Sequence, residues 1–289
     1  MTASEPQRGP GSADLPVVDL DGVGKTFGAG GAAVEALGDI SLQIGRGEFV
    51  SLIGPSGCGK STLLRLIGDL TEANVGSVKV NGKPARQARL DRDYGMVFQS
   101  PVLFDWRTVE DNVRLPLELF GHDKASQVAR AAEMLELVGL TEFARRHPFE
   151  LSGGMQQRVA IARALAFSPS LLLMDEPFGA LDEMTRERMN SEVLSIWERT
   201  GITVVFVTHS IPEAVFLSTR VAVMSARPGR VTRVVEVDLP RPRGLDTRES
   251  PRYFNLITEV REALRAGEGS GGGVMAASAE RTAAEGGIG

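Results

Sequence analysis

A chain of 289 residues with 42% apolar side chains can bury one large core or two small ones. Its formal charge of −5 and pI near 5.4 argue against a globally basic surface for nucleic acid. The single cysteine, Cys58, excludes an internal disulfide and a cysteine-rich metal site, and no run reaches the roughly 18 apolar residues of a membrane span.

Residues 1–16 are rich in Gly, Pro and Ser, lack the basic-then-apolar order of a signal peptide, and read as a flexible leader. VVDL at 17–20 and AVEALGDISLQI at 33–44 predict strands around a glycine-rich turn, and EFVSLIG at 48–54 predicts an apolar strand. KSTLLRLIGDL at 60–70 follows at once as a helix. SVKV at 77–80, a turn at Asn81-Gly82 and YGMVFQ at 94–99 give further strands. Helical periodicity then takes over in TVEDNVRLPLELF, SQVARAAEMLELVGL and TEFARRH, so residues from about 107 to 165 read as a helical insert ending in VAIARALAF. SLLLMDEP at 170–177 is an apolar strand ending in two carboxylates. A helix from 183 to about 199 leads to the buried strand ITVVFVTH, and Ser210 with Glu213 has capping-box spacing before a helix at 211. VAVMSA and RVTRVVEVDL are strand-like. In 251–264, Phe254, Ile257, Val260 and Leu264 fall on one helical face, and 266–289 has the composition of a disordered tail. Buried strands alternating with helices predict an α/β core with a mainly parallel sheet, whose ligands lie beyond the carboxyl ends of the strands.

Gly54-Pro55-Ser56-Gly57-Cys58-Gly59-Lys60-Ser61-Thr62 fits the phosphate-loop pattern GxxxxGK[ST] and stands between a predicted strand and a predicted helix. Its glycines let the backbone wrap an anion, and the helix N-terminus adds N–H groups. Lys60 is expected to reach the β- and γ-phosphates, Ser61 to ligate Mg²⁺, and Thr62 to add a hydroxyl contact. Cys58 reads as a small space-filler. Asp175 supplies the strand-end carboxylate that a bound Mg²⁺ needs, and Glu176 is placed to activate water against the γ-phosphate. A kinase uses similar parts, so hydrolysis does not follow from these residues alone.

Leu151-Ser-Gly-Gly-Met-Gln-Gln-Arg158 opens a helix with two glycines and a run of hydrogen-bonding side chains. With a phosphate loop upstream and LLLMDEP downstream, the chain from about 17 to 225 resembles the ATP-binding subunit of ABC transporters. That resemblance implies a phosphate-loop NTPase core with an antiparallel β subdomain and a helical signature subdomain. It implies ATP and Mg²⁺ as ligands, Glu176 as catalytic carboxylate, His209 as switch histidine, and Gln99 as the loop glutamine that reaches Mg²⁺ or water. It further implies that Ser152, Gly153 and Gly154 serve the ATP of a second subunit, identical and head to tail. Ala180-Leu181-Asp182 would cross the dimer interface, and Phe27, in GKTF, would stack on adenine. Arg158 and Arg163 read as structural or surface residues.

GEFVSLIGPSGCGKSTLLRLI, FQSPVLFDWRTVEDNV and MSARPGRV look most like the ATPases of nitrate, sulfonate and taurine importers, whose relatives also serve thiamine-precursor pyrimidines and riboflavin. Phe104-Asp105-Trp106 departs from the Pro before Trp that is common there. The implied partners are transmembrane permease subunits and, indirectly, an extracytoplasmic solute-binding protein, with no nucleic acid. The implied location is the cytoplasmic face of a bacterial membrane, held peripherally. The expected organisation is an ATPase domain over 17–240, a short extension with a helix over 241–265, and the tail. Residues 99–109 are the expected seat of a permease helix, with Trp106 either meeting that partner or packing locally. A non-transport, ATP-switched scaffold is the other reading.

Overall fold

The computed structural model describes residues 15–28 and 30–269; the expected leader, but for Leu15 and Pro16, and the tail from 270 lie outside them. β1 (Val18–Phe27) and β2 (Val34–Ile44) pair antiparallel, with Val18 opposite Ile44 and Phe27 opposite Val34. From Gly38 to Ile44 burial alternates residue by residue, the period of a strand with one face on a core. β3 (Phe49–Ile53) is buried throughout and runs through the phosphate loop into α1 (Lys60–Ile67). β4 (Val75–Val80) and the two-residue β5 (Lys83–Pro84) complete a four-stranded sheet in the order β2-β1-β4-β5. α2 (Ala85–Leu90) follows, then β6 (Tyr94–Val97). α3 (Val109–Leu119), α4 (Lys124–Leu137) and α5 (Gly153–Leu165) form the helical insert. The chain returns as β7 (Leu171–Asp175), α6 (Glu183–Thr200), β8 (Thr203–Val207), α7 (Ile211–Leu217), β9 (Arg220–Met224), β10 (Val231–Glu236), α8 (Leu245–Glu249) and α9 (Pro251–Gly269).

The second sheet has the order β10-β9-β3-β8-β7-β6. Five of its strands are parallel and β10 runs antiparallel to β9. The parallel strands are apolar on both faces because each face is covered. In β3, Phe49 and Ile53 join the cluster beneath the helices, while Val50 and Leu52 join the one shared with α1 and the antiparallel sheet. The β3 position between them is Ser51, fully buried and bonded to Ser218 Oγ at 2.5 Å, so the polar group is satisfied. No described helix is long and apolar enough to cross a membrane.

Several expectations need correction. The periodicity does not predict α2, because only Ala85 and Ala88 are buried in ARQARL, too little for an apolar stripe. YGMVFQ is strand only to Val97, and TEFARRH forms just a 3₁₀ turn over Thr141–Phe143. Ser210 does cap α7 by accepting from Glu213 N, but the Glu213 carboxylate bonds Thr208 instead of closing a capping box. α9 runs to Gly269, into the stretch expected to be disordered. Phe254 is 56% exposed; the face of α9 that packs carries Tyr253, Leu256, Ile257, Val260 and Ala263.

That face binds α9 to α7. Tyr253 Oη donates to Pro212 O at 2.9 Å in the first turn of α7. At the other end, buried Arg243 donates to Phe216 O at 2.7 Å, Ser218 O at 2.9 Å and Val215 O at 3.4 Å, taking up carbonyls that a helix end leaves without partners.

Candidate active site

Parallel pairing brings the carboxyl ends of β3, β6, β7, β8 and β9 to one edge of the sheet. The 54–59 loop leaves β3 there. Gly57 and Gly59 hold φ of 73° and 100°, which favour glycine. A Cβ on Gly54 would lie 2.8 Å from both Cys58 Sγ and Met224 O, so this glycine lets the loop press on β9. Cys58 is 1% exposed and fills the space behind the loop, in keeping with its size. Lys60 Nζ donates to Gly54 O at 2.8 Å and Pro55 O at 3.1 Å, which holds the ammonium within the loop.

The two acids at the end of β7 separate. Asp175 Oδ1 accepts from Ser61 Oγ at 2.7 Å, across 114 residues of chain. Glu176 Oε2 lies 3.2 Å from Nδ1 of His209, two residues beyond β8. The parting is set by the backbone: Glu176 has φ 46°, its N–H donates to Val207 O at 3.0 Å and its carbonyl accepts from Gly179 N at 3.1 Å. A left-handed conformation at a non-glycine costs on the order of 1–3 kcal/mol and is held by such surroundings. The adjacent oxygens of Ser61 and Asp175 are hard donors of the kind Mg²⁺ takes, so the pair fits that ion. They would hold it, and it would supply positive charge to phosphate oxygens.

A cavity of about 380 Å³ adjoins these groups. Ser56, Gly57, Gly59 and Lys60–Thr62 line one wall, Phe27, Val34 and Ala36 another, with Glu176 and Arg227 at its margins. Phe27 is 46% exposed and carries Lys25 Nζ 5.1 Å from its ring centroid, leaving an aromatic surface at the mouth. Such a space, with an aromatic edge at one end and a glycine-rich loop, an ammonium and a carboxylate at the other, suits a nucleotide and attack on its phosphate by water.

Not every expected residue converges here. Gln99 is exposed and does not line the cavity; its amide lies against Gly179, 3.1 Å from where a Cβ would stand. Ser152, Gly153 and Gly154 also lie outside it. Ser152 Oγ caps α5 by accepting from Met155 N at 3.4 Å, and Gly153 is exposed beside it. Gly154 is buried: a Cβ there would meet Thr185 Cγ2 at 3.1 Å and Met189 Sδ at 3.6 Å, so this glycine lets α5 approach α6. Asp182 caps α6, and the N–H of Thr185 holds its carboxyl below the usual range.

Three further groups act through contacts that the sequence does not mark. Burial pushes the Glu213 carboxyl up; it accepts from Thr208 Oγ1, which itself accepts from Ser210 N at 3.0 Å, and this chain of bonds fixes the backbone on both sides of His209. Gln157, 1% exposed, donates to Phe98 O at 2.9 Å and ties α5 to the segment of Gln99. Arg163 secures that segment through Pro101 O and Val102 O, at 2.9 and 2.8 Å. The spacing of Ser210 and Glu213 disguises the glutamate as a cap and so hides its bond to Thr208. The Gln157 and Arg163 bonds are long-range and leave no local signal.

The family pattern described as ABC transporter matches residues 37–179. The chain is 48% identical over 244 residues to a taurine import ATP-binding protein of Rhizobium johnstonii, covering 82% of this chain and 92% of the relative. It is 43% identical over 260 residues to a nitrate import ATP-binding protein of Synechocystis, covering 88% and 96%. Among solved structures, a dimeric ATP-binding cassette in a post-hydrolysis state, bound to ADP and Pi, superposes with a TM-score of 0.66 at 38% identity, covering 79% of this chain and all of that one.

Proposed function

This chain belongs to the ABC transporter family and is an ATPase, and on that premise we propose that it powers import of nitrate, a sulfonate, taurine or a similar small solute through a separate permease. Two copies meet head to tail at the cytoplasmic face of the membrane. Each presents its 54–62 loop to the other's α5 start, giving two equal composite sites. Ser61 and Asp175 would hold Mg²⁺, and Glu176, steadied by His209, takes the proton of the attacking water.

The observation that carries the transport reading is an exposed aromatic face that includes the segment following Gln99 in the chain. Trp106 and Phe149 are 75% and 72% exposed. Trp106 stacks on Phe104 with centroids 4.7 Å apart, Phe149 stacks on His147 at 5.5 Å, and His147 Nδ1 lies 3.3 Å from Asp105 O. Exposed aromatics held in place favour burial against a partner. The test is co-expression with a candidate permease and solute-binding protein, followed by uptake into reconstituted vesicles. Uptake of taurine, an alkyl sulfonate or nitrate is expected with the wild type. Trp106→Ala should keep ATP affinity and lose co-purification with the permease. Uptake of a pyrimidine or riboflavin instead would overturn the solute class, and full assembly by the Trp106 variant would overturn the docking face.

A further inference from the structure

The turn between β9 and β10 carries a cation to the nucleotide cavity. Its backbone is fastened to both walls. Gly229 N donates to Ala36 O at 3.0 Å, and Gly229 O accepts from Gly38 N at 3.0 Å, which joins the turn to β2. A Cβ on Gly229 would stand 2.0 Å from Cys58 O, so the turn and the phosphate loop touch backbone to backbone. Within this turn, Arg227 Nε donates to Gly57 O at 2.8 Å, and the guanidinium lines the cavity.

The bond at Nε leaves two terminal nitrogens. Neither makes a hydrogen bond among the described residues, and Nη2 lies 3.1 Å from where a Gly57 Cβ would be, at the lip of the loop. Among the described residues lining this cavity, Lys60 is the other cationic side chain. A triphosphate paired with Mg²⁺ still carries about two negative charges, and one ammonium does not balance them. A planar fork with its two end donors free matches phosphate oxygens.

We propose that Arg227 is a nucleotide-binding residue: its terminal nitrogens donate to phosphate oxygens, and the Nε bond to Gly57 O sets their direction. The proposal rests on reading 54–62 as the nucleotide site. It also accounts for the close seat of the turn, since a guanidinium anchored on the loop keeps its place when the loop is engaged.

The test titrates the full chain with Mg-ATP, Mg-ADP and adenosine, the last by competition, comparing wild type, Arg227→Ala, Arg227→Lys and Lys60→Ala. Arg227→Ala should weaken ATP and ADP about tenfold, the scale of a lost charge-assisted bond, while adenosine binds as before. Arg227→Lys should recover part of that loss because the charge remains. Three results would overturn the assignment: unchanged ATP affinity in Arg227→Ala, an equal loss for adenosine, or Arg227→Lys as weak as Arg227→Ala, which would reduce the arginine to a tether. Lys60→Ala separates the layers. If it binds ATP normally, the site reading itself fails; if it loses ATP while Arg227→Ala does not, only the role of Arg227 fails.

Discussion

The junctions at 54–59 and 151–154 are both glycine-rich and both run into a helix, yet the fold treats them oppositely. The first is enclosed by its own chain: β9 presses on Gly54, the 225–230 turn lies on Cys58, and Asp175 bonds Ser61. The second is half open, with Gly154 sealed against α6 and Ser152 and Gly153 facing out. One junction makes a cavity within a single copy, and the other makes only a surface. Where glycines carry positive φ and touch backbone on several sides, the chain supplies its own ligand wall. Where one glycine packs and the next is bare, the geometry leaves room for another molecule.

The strongest break in this contrast comes at the enclosed junction. Lys60→Ala should weaken ATP by about 10²-fold, roughly 3 kcal/mol, and take turnover to background, measured by calorimetry and phosphate release. Glu176→Gln should leave ATP affinity within about twofold while hydrolysis falls by on the order of 10²–10⁴, the scale of a lost general base. ATP should then hold a dimer on size exclusion, and a monomer would contradict the composite site.

At the open junction, Gly153→Asp should keep monomer ATP binding, since its Cβ meets only Leu181 Cδ2 at 3.4 Å. It should abolish ATP-driven dimerisation by placing a carboxylate where a phosphate approaches. Mixing Gly153→Asp with Lys60→Ala sharpens the point, because one site of the mixed dimer keeps both an intact loop and an intact helix start. Occlusion of ATP in the mixture, absent from either variant alone, is the expected outcome; no occlusion would place the helix start in service of its own chain. Gly154→Val is the contrasting change, expected to cost about 1–3 kcal/mol of stability by overpacking against Thr185 and Met189, read from denaturant unfolding.

The smallest effect concerns pH. Burial raises the folded Glu213 carboxyl above its ordinary 4.5, so the folded state binds that proton more tightly than the unfolded one. Its contribution to stability is therefore full below the ordinary value and declines as pH rises through the raised one. Glu213→Gln, which can still accept from Thr208, should flatten that decline in melts taken from about pH 4.5 to 7.

Residues that act through local sequence are legible from the order of amino acids alone. The 54–62 loop, the acids after LLLM and Ser152 at a helix start each announce themselves by spacing. The α/β alternation is legible for the same reason, since buried parallel strands such as LLLMD and TVVFV are apolar without interruption. What stays hidden depends on distant chain. Arg227 meets Gly57 across 170 residues and Gln157 meets Phe98 across 59, and neither partner marks the other in sequence. The burial of Gly154 is hidden likewise, because α6 lies downstream. Phe254 misleads because four apolar residues at helical spacing do not say which arc of the helix the core will take.

The grip on α7 has a consequence for how the molecule breathes. A seven-residue helix has no standing of its own in water, and α7 is held at its first turn by Tyr253 and at its last by Arg243. Its amides should therefore exchange with solvent only when α9 and the 241–244 segment detach, so these parts open as one cooperative unit. His209 stands immediately before that unit, and its steadiness is on loan from the helix that the ribosome makes late.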